Sequence, residues 1–188
     1  DYSVGKRSVI APNLLNRQFT ADAPNQKWAA DFTYIATGEG WLYLAVVLDL
    51  YSRMVVGWSM QKDMSTQLVS DAMTMALWRR RPNTAALLHH SDQGTQYSSE
   101  AYQALLQENG ITCSMSRAGN VWDNSTVESF FSSMKSERVN RHRYRTRDQA
   151  RSDIFDYIER FYNPQRRHST LDYVSPVTYE QSETTQQI

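Results

Sequence analysis

The alternation of apolar and polar residues predicts three strands in close succession in the first third of the chain. Apolar stretches rich in aromatic and β-branched residues cover Trp28 to Ile35, Trp41 to Leu50 and Met54 to Met60, and such composition is typical of strands. The joins, Thr37-Gly-Glu-Gly and Tyr51-Ser-Arg, are short enough for antiparallel hairpins. We therefore expect the fold to begin with an antiparallel three-stranded unit.

Helical periodicity dominates the rest of the chain, with two short strands between the helices. Four helices are predicted: Ser65 to Pro82, Ser98 to Gly110, Asn124 to about Val139, and Thr146 to Tyr162, which ends at Asn163-Pro164. Residues 85–90 and 111–115 are the fourth and fifth strand candidates. The order β-β-β-α-β-α-β-α-α predicts an α/β fold, with a five-stranded mixed sheet flanked by helices.

The 188 residues suit one domain with a core of its own. Residues 1–24 lack clear periodicity and end in a turn-forming Asp22-Ala-Pro-Asn-Gln stretch, so we interpret them as a leader or linker. Residues 25–180 form the predicted core domain, and residues 181–188 are interpreted as a C-terminal tail.

Composition places the chain among globular proteins without a membrane anchor. The hydrophobic share is 40% and the aromatic share is 12%, which is far from a disordered composition. The apolar run from Trp41 to Leu48 is too short to cross a bilayer. The single cysteine, Cys113, excludes an internal disulfide and fits a reducing compartment. We expect a cytoplasmic protein that has no membrane partner.

Charge is balanced overall but unevenly distributed. The formal net charge is zero, which alone argues weakly against a nucleic-acid partner. Between Lys135 and Arg151, however, seven basic residues stand against only Glu137 and Asp148. These basic residues are Lys135, Arg138, Arg141, Arg143, Arg145, Arg147 and Arg151. The stretch is either a solvated helix face or a phosphate-binding surface.

Two aspartates interrupt or end predicted strands. Asp31 lies within an apolar strand, where burying an ionised carboxylate is costly unless a cation or hydrogen-bond donors meet it; the alternative is an edge strand on which Asp31 faces water. Asp92 follows the fourth strand, and α/β folds collect ligands at the carboxyl ends of strands. Taken alone, Asp92 could equally be a turn residue. Asp49 also follows an apolar strand, but its neighbouring Tyr51-Ser-Arg turn favours a role in that turn.

A third acidic residue, Glu128, lies on the helix that follows a Gly/Asn loop. Helical spacing puts it on one stripe with Asn124, Phe131 and Lys135. A lone Glu on a helix is usually a surface residue, yet three carboxylates together suit the transfer of phosphodiesters. Two Mg²⁺ ions about 3.5–4 Å apart can hold the attacking and leaving oxygens, and Mg²⁺ prefers hard oxygen ligands.

Three separate motifs give the sequence a family resemblance. They are Trp28-x-x-Asp31-x-Thr33-Tyr34-Ile35, His90-Ser91-Asp92-Gln93-Gly94-x-Gln96-Tyr97, and Gly119-Asn120-x-x-Asp123-Asn124-x-x-x-Glu128-Ser129-Phe130-Phe131. Together they resemble the integrase-type catalytic core of IS3-family bacterial transposases. Thirty-five residues separate Asp92 from Glu128, the spacing of the DD(35)E motif shared with retroviral integrases. The resemblance runs from about Trp28 to Tyr179.

The resemblance implies an RNase H-like fold in which Asp31, Asp92 and Glu128 converge as catalytic residues and metal ligands. Asp31 would bridge two Mg²⁺ ions, with Asp92 and Glu128 binding one each, and Mn²⁺ could replace Mg²⁺. Lys135 would contact the DNA. The expected reaction is hydrolysis at the element's ends, followed by transfer of the 3′-OH strand into target DNA.

Several properties of the whole assembly follow from the same resemblance as expectations. The DNA-binding set predicted from the basic stretch is Lys135, Arg138, Arg141 and Arg143. The expected partners are double-stranded DNA, as transposon ends and target, and further copies of the chain in a homo-oligomeric active complex associated with the bacterial nucleoid. No helix-turn-helix pattern precedes Trp28, so we interpret the chain as a fragment of a longer transposase that lacks the end-recognition domain.

Other polar residues and other functions remain open alternatives. His89 and His90 could orient a metal-bound water or be structural, and Asn124 could bond to Glu128 or cap its helix. Trp122 could stack on an unpaired base or anchor its loop. Arg166, Arg167 and His168 could grip phosphate or cap helix carbonyls. The alternative functions are a ribonuclease H or junction resolvase, and a non-catalytic DNA-binding or subunit-interaction module.

Overall fold

A five-stranded mixed sheet forms the centre of the computed structural model, which describes residues 8–186. The strands are β1 (Lys27–Thr37), β2 (Gly40–Asp49), β3 (Val55–Gln61), β4 (Leu88–Ser91) and β5 (Thr112–Met115). Their order is β3-β2-β1-β4-β5. The first three are antiparallel, whereas β4 runs parallel to β1 and β5 parallel to β4. The predicted α/β architecture is confirmed.

Within residues 8–186 the structure has five α-helices. They are α1 (Thr66–Arg80), α2 (Glu100–Glu108), α3 (Ser125–Glu137), α4 (Arg147–Asp156) and α5 (Pro176–Gln186). Hydroxyl groups of Ser65, Ser99 and Thr146 accept hydrogen bonds from backbone N–H groups in the first turns of α1, α2 and α4. These caps occur where the sequence predicts helix starts. None of the helices is long and apolar enough to cross a bilayer within residues 8–186.

Three elements differ from the sequence-based expectation. The fourth strand is shorter than predicted, because Thr84–Ala86 forms a 3₁₀ turn. The helix predicted to end at Tyr162 is α-helical only to Asp156 and continues as π-helical turns over Tyr157–Tyr162. Helix α5 was not expected, because its mostly polar sequence shows little helical periodicity. It extends past residue 180, into the predicted tail.

Both faces of the sheet are covered, and this explains the continuous apolar sequence of β2. Leu44, Val46 and Leu48 face the side on which α3 and α4 pack. Ala45 and Val47, at the intervening positions, face α1 and α2. The central strands are therefore buried on both sides, so a polar residue such as Asp31 on β1 stands out within them.

Residues 8–24 contain no helix or strand but pack closely against the sheet. The backbone N–H groups of Leu14 and Leu15 donate to the Ser114 hydroxyl, at 2.9 and 3.0 Å, and Leu15 is buried. The Val9 N–H donates to the Ser98 carbonyl. The predicted leader, residues 1–24, thus contacts the core through its later part, while residues 1–7 lie outside the described residues.

Candidate metal centre and nucleic-acid surface

Three acidic side chains from distant parts of the sequence line one pocket of about 280 Å³. Asp31 lies on β1, Asp92 directly follows β4, and Glu128 lies in the first turn of α3. Because β4 is the parallel neighbour of β1 and α3 packs on β1, these elements bring the three carboxylates together at the carboxyl end of β4. The pocket also receives Asn124 and the loop over residues 116–121.

Backbone donors hold two of these carboxylates. The Phe32 N–H donates to Asp31 Oδ1 at 2.8 Å, and the Gly94 N–H donates to Asp92 Oδ1 at 2.7 Å. A Cβ atom at Gly94 would lie 2.8 Å from the same Asp92 oxygen, so this position favours glycine. Burial, together with the nearby charges of Asp92 and Glu128, raises the pKa of Asp31 to about 7 despite the Phe32 hydrogen bond. A bound cation would stabilise the ionised carboxylate and so offset both the cost of burial and the repulsion.

The donor set fits Mg²⁺ or Mn²⁺, although the ligands are not arranged as a closed cluster. Across the part of the chain that the structure describes, no three His, Cys, Asp or Glu side chains already enclose a metal position. Glu128, however, is exposed on the helix surface and can rotate. Mg²⁺ keeps several waters, so a few carboxylates suffice for it. The buried Asn124 Oδ1 lacks a hydrogen-bond partner among the described residues, and a metal-bound water would satisfy it.

Asn124 is positioned by the strand that carries Asp31. Its Nδ2 donates to the Ala30 carbonyl at 3.1 Å, and its side chain makes no capping bond to α3. Within residues 8–186 no hydrogen bond joins its amide to Glu128. Asn124 therefore links the start of α3 to the backbone beside Asp31, a role that differs from both sequence-based alternatives.

Both histidines before Asp92 are fully buried and have structural contacts. His90 Nδ1 lies 2.9 Å from the Ser114 hydroxyl, and its Nε2 lies 2.8 Å from the Asp123 carbonyl oxygen. His89 Nε2 lies 2.7 Å from the Tyr102 hydroxyl. Burial, and to a smaller extent the charge of the neighbouring His90, lowers the pKa of His89 to about 3. These contacts favour the structural interpretation over the orientation of a metal-bound water.

The sequence pattern assigns no role to Asp123, yet its carboxylate organises the wall of the pocket. It is fully buried and accepts hydrogen bonds from the Arg117 backbone N–H and guanidinium, from Arg17 Nε and from Asn13 Nδ2. The Arg117 guanidinium is the main reason that the pKa of Asp123 lies well below its usual range. An acidic residue within a Gly/Asn loop was the only local signal, because Asn13 and Arg17 lie over 100 residues away.

Asp49 has the structural role that its place before a turn predicts. The Tyr51 N–H donates to its Oδ1 at 2.9 Å, and the Asn25 N–H donates to its Oδ2 at 2.8 Å. The Arg80 guanidinium lies 3.4 Å away. Asp49 is fully buried opposite Trp28, near the start of β1 and outside the carboxylate pocket, and burial raises its pKa.

In the basic stretch from Lys135 to Arg151, some cations pair with carboxylates and others remain available to a ligand. Arg138 lies 2.9 Å from both Asp153 and Asp156, so its guanidinium is already neutralised. Lys135 instead lies over the ring of Tyr34, 5.4 Å from its centroid, and Arg143 is exposed. Lys135 and Arg143 both line a groove of about 530 Å³ together with the exposed Tyr34 and Trp41 rings. Arg141 is exposed and donates to the Ser136 carbonyl.

Trp122 is exposed beside the carboxylate pocket. It lies on the 3₁₀ turn Val121–Asn124, and 68% of its surface is accessible. Its neighbour Val121 lines the pocket and is also exposed. A loop anchor would be buried, so the exposure of Trp122 favours contact with a ligand.

Comparisons with known proteins identify the family to which the chain is similar. Residues 21–121 and 109–176 match two family models, each described as integrase core domain. The chain is 49% identical over 172 residues to the transposase InsF for insertion sequence IS3A of Escherichia coli (strain K12), covering 91% of this chain and 59% of the relative. It is 47% identical over 173 residues to the transposase for insertion sequence element IS904 of Lactococcus lactis subsp. lactis (strain IL1403), covering 92% and 68%.

The fold has solved counterparts as well. The HTLV-2 integrase catalytic core domain in complex with magnesium superposes with a TM-score of 0.64 at 16% identity, covering 85% of this chain and 99% of that one. The sheet and helices are therefore those of the RNase H-like fold, as the resemblance implied. The chain spans between 59% and 68% of the length of the curated relatives it matches.

Proposed function

Because the chain belongs to the integrase core domain family, together with transposases of bacterial insertion sequences, we propose that it is the catalytic core of a DNA transposase. The observation that carries the proposal is the meeting of Asp31, Asp92 and Glu128 in one pocket. An exposed groove of cationic and aromatic side chains contains Lys135, on the same helix as Glu128. A non-catalytic module has no need for three mutually repelling carboxylates.

The reaction that we propose has two steps, and neither involves a covalent protein intermediate. Water first attacks a phosphodiester at the end of the element and releases a 3′-OH group. That hydroxyl then attacks a phosphodiester of the target DNA, and the former target linkage leaves as a new 3′-OH. Strand transfer distinguishes this enzyme from a ribonuclease H or a resolvase. The test is a product assay with a labelled end, which should yield joined products and not cleavage products alone.

One set of side chains would bind the metal cofactor, and a second set would bind the DNA substrate. Asp31, Asp92 and Glu128 would hold two Mg²⁺ ions, and Mn²⁺ would serve in the same place. When bound, the ions stabilise the charge that develops on the attacking and leaving oxygens. Asn124 fixes the start of α3 against β1 and so keeps Glu128 near Asp31. Lys135, Arg141 and Arg143 would contact DNA phosphates.

Lys135 is expected to contribute one phosphate contact. Replacing it by alanine should weaken binding to all DNA sequences and reduce the slope of log affinity against log salt by about one. The measurement is fluorescence anisotropy with a labelled duplex at several salt concentrations. Arg138→Ala is the matched control, because the pairing of Arg138 with Asp153 and Asp156 predicts a loss of stability with an unchanged salt slope.

Trp122 is expected to stack on a base that leaves the duplex near the cleavage point. Trp122→Ala should weaken binding to DNA with an unpaired end by about 1–3 kcal/mol, the usual contribution of one stacked base. Trp78 is the control, because it lies on α1 and is similarly exposed, at 72%. Equal effects of Trp122→Ala and Trp78→Ala would contradict the assignment.

The core is expected to bind DNA without reading the ends of the element. The cations in its groove are suited to phosphates, which carry no sequence information directly. We therefore propose that end recognition resides elsewhere in a longer transposase and that the active complex contains several copies of the chain. Affinities for a terminal repeat and for a scrambled duplex of equal length should be similar. A preference of about a thousandfold, typical of specific binders, would refute this.

A further inference from the structure

A second polar pocket lies against α3, on a different flank of the helix from the carboxylates. Its volume is about 620 Å³, and its lining includes Arg53, Ser129, Ser133, Arg166, Arg167 and His168. Arg53 comes from the turn between β2 and β3, and the last three residues come from the segment after the π-helical turns. The pocket is thus built from three separate parts of the chain.

Two buried polar atoms of this pocket have no hydrogen-bond partner among the described residues. They are Nη1 of Arg53 and Nε2 of His168. Leaving a buried polar group unpaired costs about 1–3 kcal/mol, and more when it is charged. Arg53 Nη1 is a donor, and the neutral His168 ring donates from Nε2 in one of its two tautomers, so an acceptor in this pocket would satisfy both atoms.

The pocket also carries excess positive charge. Glu137 pairs with Arg166, at 2.7 to 2.9 Å, but no ion pair of Arg53 or Arg167 occurs among the described residues. Burial, and then the charges of Arg166 and Arg53, lowers the pKa of His168 to about 4. An anion with several acceptor oxygens, such as a phosphate, matches such a surface.

The backbone of Arg53 is held in place before any ligand arrives. Its backbone has a left-handed conformation, with φ of 61°, and its N–H donates to the Asp49 carbonyl. Its own carbonyl accepts a hydrogen bond from the Tyr162 hydroxyl at 2.8 Å. The fixed backbone directs the Arg53 side chain to the pocket, and the planar guanidinium loses little conformational entropy for each hydrogen bond that it forms with a phosphate.

We propose that this pocket binds one backbone phosphate of a DNA strand, while another phosphate of the same strand lies at the carboxylate site. The proposal rests on the proposed function, since it requires DNA across α3. By helical spacing, Ser132 and Ser136 lie on the face of α3 between Glu128 and the pocket; both are small, exposed and uncharged, so a strand can lie close to the helix. A helix is about 10 Å wide, so the anchored phosphate would lie within a few nucleotides of the reacting one.

The test measures DNA binding without catalysis, by anisotropy of a labelled duplex in the presence of a chelator. Arg53→Met and Arg167→Met should each weaken binding about tenfold and lower the salt slope by about one. Arg160→Met is the control, because Arg160 is exposed on the neighbouring π-helical turns but lies outside the pocket. Arg167 is exposed, so Arg167→Met decides the matter if Arg53→Met fails to fold.

Other outcomes separate this proposal from its alternatives. Unchanged affinity and slope in folded Arg53→Met and Arg167→Met would overturn it. A second result would also overturn it. Pyrophosphate would raise the melting temperature of the unaltered protein but not that of Arg53→Met, while the two proteins bind DNA with equal affinity. The pocket would then bind a free phosphate. If both variants lose DNA binding but Asp92→Asn retains strand transfer, the pocket stands and the proposed catalytic site falls.

Discussion

Replacing Asp31, Asp92 or Glu128 by its amide is expected to abolish both cleavage and joining of DNA while preserving the fold. Each exchange keeps the size of the side chain and removes the negative charge that a metal ligand needs. We expect the rate to fall by about a thousandfold or more, the upper end for removal of a charge-stabilising group. Asp31→Asn should not destabilise the metal-free protein, because burial and repulsion already disfavour the ionised carboxylate.

The measurement is a strand-transfer assay together with thermal unfolding of each variant. Asp49→Asn is the control, since Asp49 is also a buried carboxylate but binds Asn25, Tyr51 and Arg80 outside the pocket. This variant should lose stability and keep the activity of its folded fraction. Full strand transfer by Asp92→Asn would show that the assignment of the three carboxylates is wrong.

Removal of divalent metal is expected to have an equally large effect. Exhaustive chelation should eliminate turnover, and Mg²⁺ or Mn²⁺ should restore it. Ca²⁺ should support DNA binding without turnover, because it is larger and less strict in geometry and does not align the reacting oxygens.

A second measurement tests metal binding without any reaction. Saturation at a hundred times the dissociation constant should stabilise the fold by about 2.7 kcal/mol, and this gain should disappear in Asp31→Asn. Turnover that survives chelation would refute the metal requirement. Thermal stabilisation by Mg²⁺ that persists in Asp31→Asn would instead place the ion elsewhere.

The sheet could be predicted from the sequence because its strands are rich in apolar residues, and β2 is apolar over most of its length. The convergence of Asp31 and Asp92 could not be predicted from periodicity, since it depends on β4 pairing with β1 across 50 intervening residues. The family motifs supplied that expectation. Caps at Ser65, Ser99 and Thr146 were predictable, because capping is a local interaction.

Interactions between distant residues were the ones that the sequence did not reveal. Arg138 belongs to a basic stretch, but only the fold shows that Asp153 and Asp156 neutralise it. Helix α5 lacks periodicity, and its position depends on the pairing of Glu180 with Arg80 and Ser52, 100 or more residues away. The sequence displays charge, whereas the fold determines which charges remain available to a partner.

The contacts of Asp123 set a practical limit on how far the protein can be trimmed. Periodicity alone would suggest a minimal enzyme that starts at Trp28. Such a truncation would remove Asn13 and Arg17 from the Asp123 carboxylate, and Leu14 and Leu15 from the Ser114 hydroxyl. Ser114 also contacts His90, two residues before Asp92. A shortened protein intended for crystallisation or inhibitor screening should therefore retain residues 8–24, or its sheet will survive with a loosened carboxylate pocket.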